Sequence, residues 1–171
     1  MARDVRVALP EDDYLVLVGQ VAYMVSSLEW TILGDLPGLA QYLPPDLNTA
    51  ALAGKTTGMI GHALASAVDR IDDDEVRTYV EEAGRLLREA SDLRNDLLHA
   101  RPATVGGRQR LYRWKKADAR GPGRALVIDD SWLESTIDAL SVSSAALNAI
   151  RPSTRTRLSG AQECPADKCR S

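Results

Sequence analysis

Between residues 11 and 34 apolar side chains fall on nearly every side of a helical projection. They are Tyr14, Leu15, Val16, Leu17, Val18, Val21, Tyr23, Met24, Val25, Leu28, Ile32 and Leu33. A helix that apolar needs burial on more than one side, one against its own bundle and another against a partner subunit. The Val-rich start also suits a strand, but the length selects helix. Pro37, Gly38, Pro44 and Pro45 predict a loop over 35–47. A second helix is predicted over about 48–71, where Leu52, Met59, Ile60, Ala63, Leu64, Ala67, Val68 and Ile71 recur at helical spacing. A third, about 73–100, opens on Asp72, Asp73, Asp74 and Glu75, acids that suit the positive end of a helix dipole. It stops near Ala100, because Pro102 disfavours helical geometry at Arg101.

The texture then changes. Arg110-Leu111-Tyr112-Arg113-Trp114 and Ala125-Leu126-Val127-Ile128 read as two short strands around Gly121-Pro122-Gly123. A fourth helix begins at a capping box, Ser131 with Glu134, and runs through Leu133, Ile137, Leu140, Leu147 and Ile150 to Pro152. The expected fold class is all-α: a four-helix up-and-down bundle over residues 1–152, with a short β-hairpin insert (about 108–129) between the third and fourth helices. A disordered polar tail is expected over 153–171.

Composition agrees with helix packed on helix. Phe is absent and aromatics are few, so Leu, Ala, Val and Ile must fill the core. The charged N-terminus is wrong for a signal peptide. The longest uncharged apolar stretch, Tyr14 to Leu28, is 15 residues, too short to span a bilayer. A cytoplasmic protein without a membrane partner is the expectation. Cys164 and Cys169 lack the companions a zinc site needs, so no metal or other cofactor is expected.

Charge is unevenly spread. Between Arg101 and Arg124 stand eight basic residues and a single acid, Asp118, although the whole chain has a net charge of −3. Such an island is either a local polyanion site or a solvated basic loop. In the first case RNA is the partner. Arg101, Arg108, Arg110, Arg113, Lys115 and Lys116 are then the candidate contacts, with Lys55 added from the second helix.

The candidate chemistry lies at the end of the third helix. Arg94 has Ala90, Leu97 and Leu98 as helical neighbours, so its guanidinium stands on an apolar face that calls for a partner. Glu29 is similarly placed among Val25, Ile32 and Leu33. The two are expected to meet inside the bundle or at a subunit boundary, unless both reach out to solvent. His99 sits in the last turn with Asn95 four residues before it, on the same face. The partial negative charge of a helix C-terminus favours an imidazolium there. Imidazole, amide and guanidinium around one patch suit a phosphodiester: the Arg holds the phosphoryl oxygens and the His moves protons. The spacing by itself also fits an exposed His and a structural Arg.

The run Arg94-Asn95-Asp96-Leu97-Leu98-His99 resembles the HEPN superfamily, whose pattern is Arg, four to six residues, then His, often with a polar residue after the Arg. The order around it is also similar: a long first helix with a Glu, a second helix opening near Gly54-Lys55-Thr56, the motif helix, and a closing helix. The resemblance spans roughly residues 11–150, but only the six-residue motif is specific. It implies a homodimeric, metal-independent endoribonuclease in which the motifs of two subunits meet and the RNA 2′-hydroxyl attacks the adjacent phosphate. A toxin or phage-defence role follows, with an antitoxin or defence-system protein as a further partner. Arg94 and His99 would be the catalytic pair, Asn95 a supporting residue and Glu29 an additional candidate. The alternative is a non-catalytic HEPN-like module that binds RNA or protein.

One position departs from the pattern. Superfamily toxins paired with a nucleotidyltransferase antitoxin carry Tyr two residues after the His, and here that position is Arg101. Gly54-Lys55-Thr56 also looks like the end of a P-loop, but Thr49 stands where the earlier Gly is required and no strand precedes it. That run is expected within the second helix.

Overall fold

A computed structural model of the chain describes residues 8–117 and 122–160, with side chains as far as Arg151. Cys164, Cys169 and the tail from 161 lie outside the described residues. The fold is mostly helical, as expected, but the insert before the last helix is a three-stranded antiparallel sheet and not a two-stranded hairpin, so the strictly all-α class is corrected to that extent. The five α-helices among the described residues are α1 (Asp12–Leu39), α2 (Thr49–Leu52), α3 (Thr57–Ala67), α4 (Asp74–Leu98) and α5 (Asp130–Gly160). The strands are β1 (Arg101–Val105), β2 (Arg108–Lys115) and β3 (Arg124–Ile128), in the order β1-β2-β3 between α4 and α5.

α1 runs five residues beyond the predicted end, straight through Pro37. Proline has no N–H for the carbonyl four residues back, here that of Leu33. The Thr49 hydroxyl donates to that Leu33 oxygen instead, at 3.2 Å. The predicted second helix is broken. Asn48 caps α2 by accepting from Ala51 N–H at 3.0 Å, and Thr56 caps α3 by accepting from Met59 N–H. Gly54 and Lys55 form the turn between them, so Gly54-Lys55-Thr56 lies before a helix and not within one. Asp73 caps α4 by accepting from Glu75 and Val76.

The unpredicted strand is β1. It pairs with β2 through the two-residue turn Gly106-Gly107, whose φ values of 57° and 79° are the left-handed geometry that favours glycine. α5 is capped by Asp129, which accepts from Trp132 N–H and from the Ser131 hydroxyl, rather than by the Ser131–Glu134 box. These bonds hold the Asp129 carboxyl below its ordinary range. α5 continues as helix past Pro152 to Gly160, over the start of the expected tail.

Contacts fix the directions of the long helices. Arg110 joins Glu11, before α1, to Asp130, at the start of α5. Arg151 of α5 pairs with Asp35 near the end of α1, so these two helices run parallel. Tyr79, early in α4, donates to Asp35 at 2.7 Å, which sets α4 against them. α3 is antiparallel to α4: a Cβ on Gly58 would meet Ser91, and one on Gly61 would meet Gly84 O and Arg88 N at 3.0 Å. The expected up-and-down order is therefore altered. The return leg between α1 and α3 is the largely irregular stretch 40–56, because Pro44, Pro45 and Gly54 deny it a long helix. Leu43, Leu47 and Leu52 still anchor that leg in the core.

The core gathers Val21, Val25, Leu28, Ile32 and Leu36 of α1, Ile60 and Leu64 of α3, Val80, Leu86 and Leu87 of α4, and Leu133, Leu140 and Leu147 of α5. α1 also shows solvent an uncharged face that includes Val16, Tyr23 and Trp30. By length and composition α1 reaches the range of a membrane-crossing helix, more than its longest uncharged stretch suggested, but its other face forms much of this core.

Candidate functional site

The site is set by the way α4 stops. His99 is the C-cap, with φ −96° and ψ 3°, and its N–H donates to Asn95 O at 3.1 Å. Chain direction changes at once, because Arg101 begins β1. The His99 side chain is exposed and has no hydrogen-bond partner among the described residues. Arg94, one and a half turns earlier, is half-buried and likewise makes no hydrogen bond or ion pair with a described residue. A partly desolvated guanidinium with its five donors open is a ready receptor for an anion.

Glu29 does not meet Arg94 within the chain. Its Oε2 accepts from the Thr57 hydroxyl at 2.5 Å, across α1 and α3. Thr57 is the first residue of α3, so the Glu29 carboxylate lies against the positive end of that helix. The polar row then continues towards the motif. Gly58, next to Thr57, lies against Ser91, and the Asn95 amide reaches Ser91 Oγ at 3.5 Å. Glu29–Thr57 and Ser91–Asn95 are thus two polar pairs on either side of the close approach of Gly58 to Ser91, and Arg94 is bonded to none of the four. Thr57 and Ser91 are buried residues that the sequence reading missed. Ser91, Asn95 and His99 recur at four-residue intervals, which was the available signal.

A cleft of about 290 Å³ opens beside Ser91, lined by Gly58, His62, Arg85, Arg88, Glu89 and Asp92. It brings His62, the second histidine of the chain, into the α3–α4 groove that also carries Ser91. Among the described residues no group of three or more His, Cys, Asp and Glu side chains is placed to hold a metal ion.

Asp96, inside the motif, is buried and faces the sheet. It accepts from Arg113 Nη1 at 2.7 Å and from Lys115 Nζ at 2.6 Å. Two of the expected RNA contacts are therefore bound to a carboxylate of α4. Arg110 is a third: only 5% exposed, it lies over the Tyr14 ring and is paired with Glu11 and Asp130. Those carboxylates raise its already high pKa, and it in turn lowers that of Glu11. Burial pushes the Tyr14 phenol up; its hydroxyl donates to Ile128 O and accepts from Leu111 N–H at the end of the β2–β3 ladder. Lys55, Arg101, Arg108 and Lys116 are exposed, with Arg108 3.8 Å from Glu11. Three of the eight basic residues of the island are thus internal scaffolding, while Arg101, Arg108, Lys116 and Arg124 are exposed.

No protein-family model matches the chain, and no curated protein or solved structure matches it.

Proposed function

We propose that this chain is a metal-independent endoribonuclease of HEPN type, acting as a cytoplasmic homodimer in a toxin or phage-defence setting. In this reading α1, α3, α4 and α5 correspond to the four helices of a HEPN bundle. The observation that carries it is Arg94: a half-buried guanidinium without a described partner, on the same helix end as an exposed imidazole. Arg94 would hold the non-bridging oxygens and stabilise the charge that builds up in the transition state. His99 would take or deliver the proton as the 2′-hydroxyl attacks. Asn95, steadied by Ser91, would orient substrate, and Glu29 would act through Thr57 on the groove wall.

The homodimer is supported by α1. Val16, Tyr23 and Trp30, spaced by seven residues, are 57%, 75% and 75% exposed, on a face without charge. A second copy on that face would remove a stripe of the kind that marks interfaces.

RNA cleavage in EDTA, wild type against His99→Ala, tests the mechanism. Cleavage by the wild type and none by the variant is expected. Equal cutting by both, or loss of cutting in EDTA, overturns it. One observation favours the second reading, a non-catalytic module that binds RNA or protein: no described group orients the His99 ring, as active-site bases require. That reading predicts binding without cleavage and a marked loss of stability in Arg94→Ala.

A further inference from the structure

β2 carries two different faces. Arg113 and Lys115 point to Asp96 on α4, so Tyr112 and Trp114, at the alternate positions, belong to the opposite face. The register puts Arg101 and Val127 directly across from Tyr112, and Ala125 across from Trp114, on that same face. Trp114 is 61% exposed. Its ring is also seated: Cζ2 lies 3.6 Å from where a Cβ on Gly123 would be. An indole with one edge beside Gly123 and most of its surface open offers a stacking surface.

The same register connects this face to the site. Arg101 is the last β1 residue to pair, opposite Tyr112. Two residues further along β2 is Trp114; two residues back from Arg101 is His99. Trp114 therefore lies at the His99 end of the sheet, about 7 Å along the strand from Tyr112. Near it Arg101 and Lys116 are exposed and have no described carboxylate partner, whereas Arg110, Arg113 and Lys115 are neutralised internally. Aromatic rings interleaved with free cations match a single strand with unpaired bases, since a duplex hides its base faces.

We infer that the outer face of the sheet is a platform for unpaired RNA, in which a base beside the scissile phosphate stacks on Trp114 and the next can reach Tyr112, with Arg101 and Lys116 on the backbone. This rests on the ribonuclease reading for the position of the scissile phosphate, and it makes the site selective for single strands.

The test uses the full chain carrying His99→Ala, so that bound RNA stays intact. Binding of a short fluorescent oligoadenylate, and of a duplex of the same length, is read by anisotropy at low salt. Adding Trp114→Ala should weaken oligoadenylate binding by about tenfold or more, the range found for loss of one base stack. Trp114→Phe should retain most of the affinity, and neither change should alter duplex binding. Unchanged oligoadenylate binding in Trp114→Ala, or equal loss for strand and duplex, overturns the platform; a protein-docking role for this face predicts the first of these. The two readings fail separately. If the chain with native His99 cuts no RNA but Trp114→Ala still loses single strands selectively, the nuclease falls and the platform stands. If cutting is intact and Trp114→Ala changes neither KM nor kcat, only the platform falls.

Discussion

Arg110 and Arg94 are both withdrawn from water, one on the central strand and one on the motif helix, and they are treated in opposite ways. Arg110 has two carboxylates and an aromatic ring around it. Arg94 has no described partner. A buried charge with its counter-ions supplied by the same chain is part of the scaffold. A half-buried one without them keeps its donors open to water or to a ligand, which in the proposed reading is phosphate.

Four measurements would break or sharpen that contrast. Arg94→Ala should reduce RNA cleavage by about 100- to 1000-fold, the effect of removing one transition-state donor, and leave the thermal midpoint unchanged. A large fall in the midpoint would make Arg94 scaffold too. Arg110→Ala should do the reverse. It should lower stability by about 2–3 kcal/mol, somewhat less than a fully buried pair because both carboxylates can rehydrate, with kcat retained under folding conditions. Denaturant titration reads that effect.

Asp96→Asn should cost about 1–2 kcal/mol, since one carboxylate accepting from two cations is replaced by a single amide oxygen. The loss should be local, with amide exchange in β1 and β2 accelerating more than in α1. Uniform acceleration would show that the sheet is not held at this point. The smallest effect concerns acid. Arg110 lowers the Glu11 carboxyl from its ordinary value of 4.5. Its contribution is therefore complete above that value and disappears as pH falls through the lower folded value. In Arg110→Met the acid limb of the stability curve should become shallower, and an unchanged limb would remove Glu11 from this account.

Much of the helical frame was legible in the sequence. Apolar spacing located α1, α3, α4 and α5, and Pro102 located the end of α4. The errors have physical causes. Pro37 does not end α1, because Thr49, from a distant part of the chain, covers the carbonyl it frees. β1 was overlooked because its short run contains a proline, although Gly106-Gly107 is a strong hairpin signal. At the candidate site, helical periodicity set Asn95 one turn before His99, whose N–H donates to the Asn95 carbonyl. It gave no information about what lies across the bundle. Thr57 takes Glu29, and Arg113 and Lys115 take Asp96, through contacts between residues far apart in sequence. Periodicity describes one element at a time, and these pairings belong to two.

Only Ala100 separates His99 from the first residue of the sheet. The two ends of the hairpin region should therefore differ in their tolerance to changes of length. Residues inserted between β2 and β3 lengthen the connection between two strands that are held by their own ladder. A single residue inserted between His99 and Arg101 has to be absorbed in that one-residue junction, because the Gly106-Gly107 turn fixes the register of β1 on β2. It changes the distance between the end of α4 and the sheet. Homologous chains should thus vary freely at the first junction and hardly at all in spacing at the second.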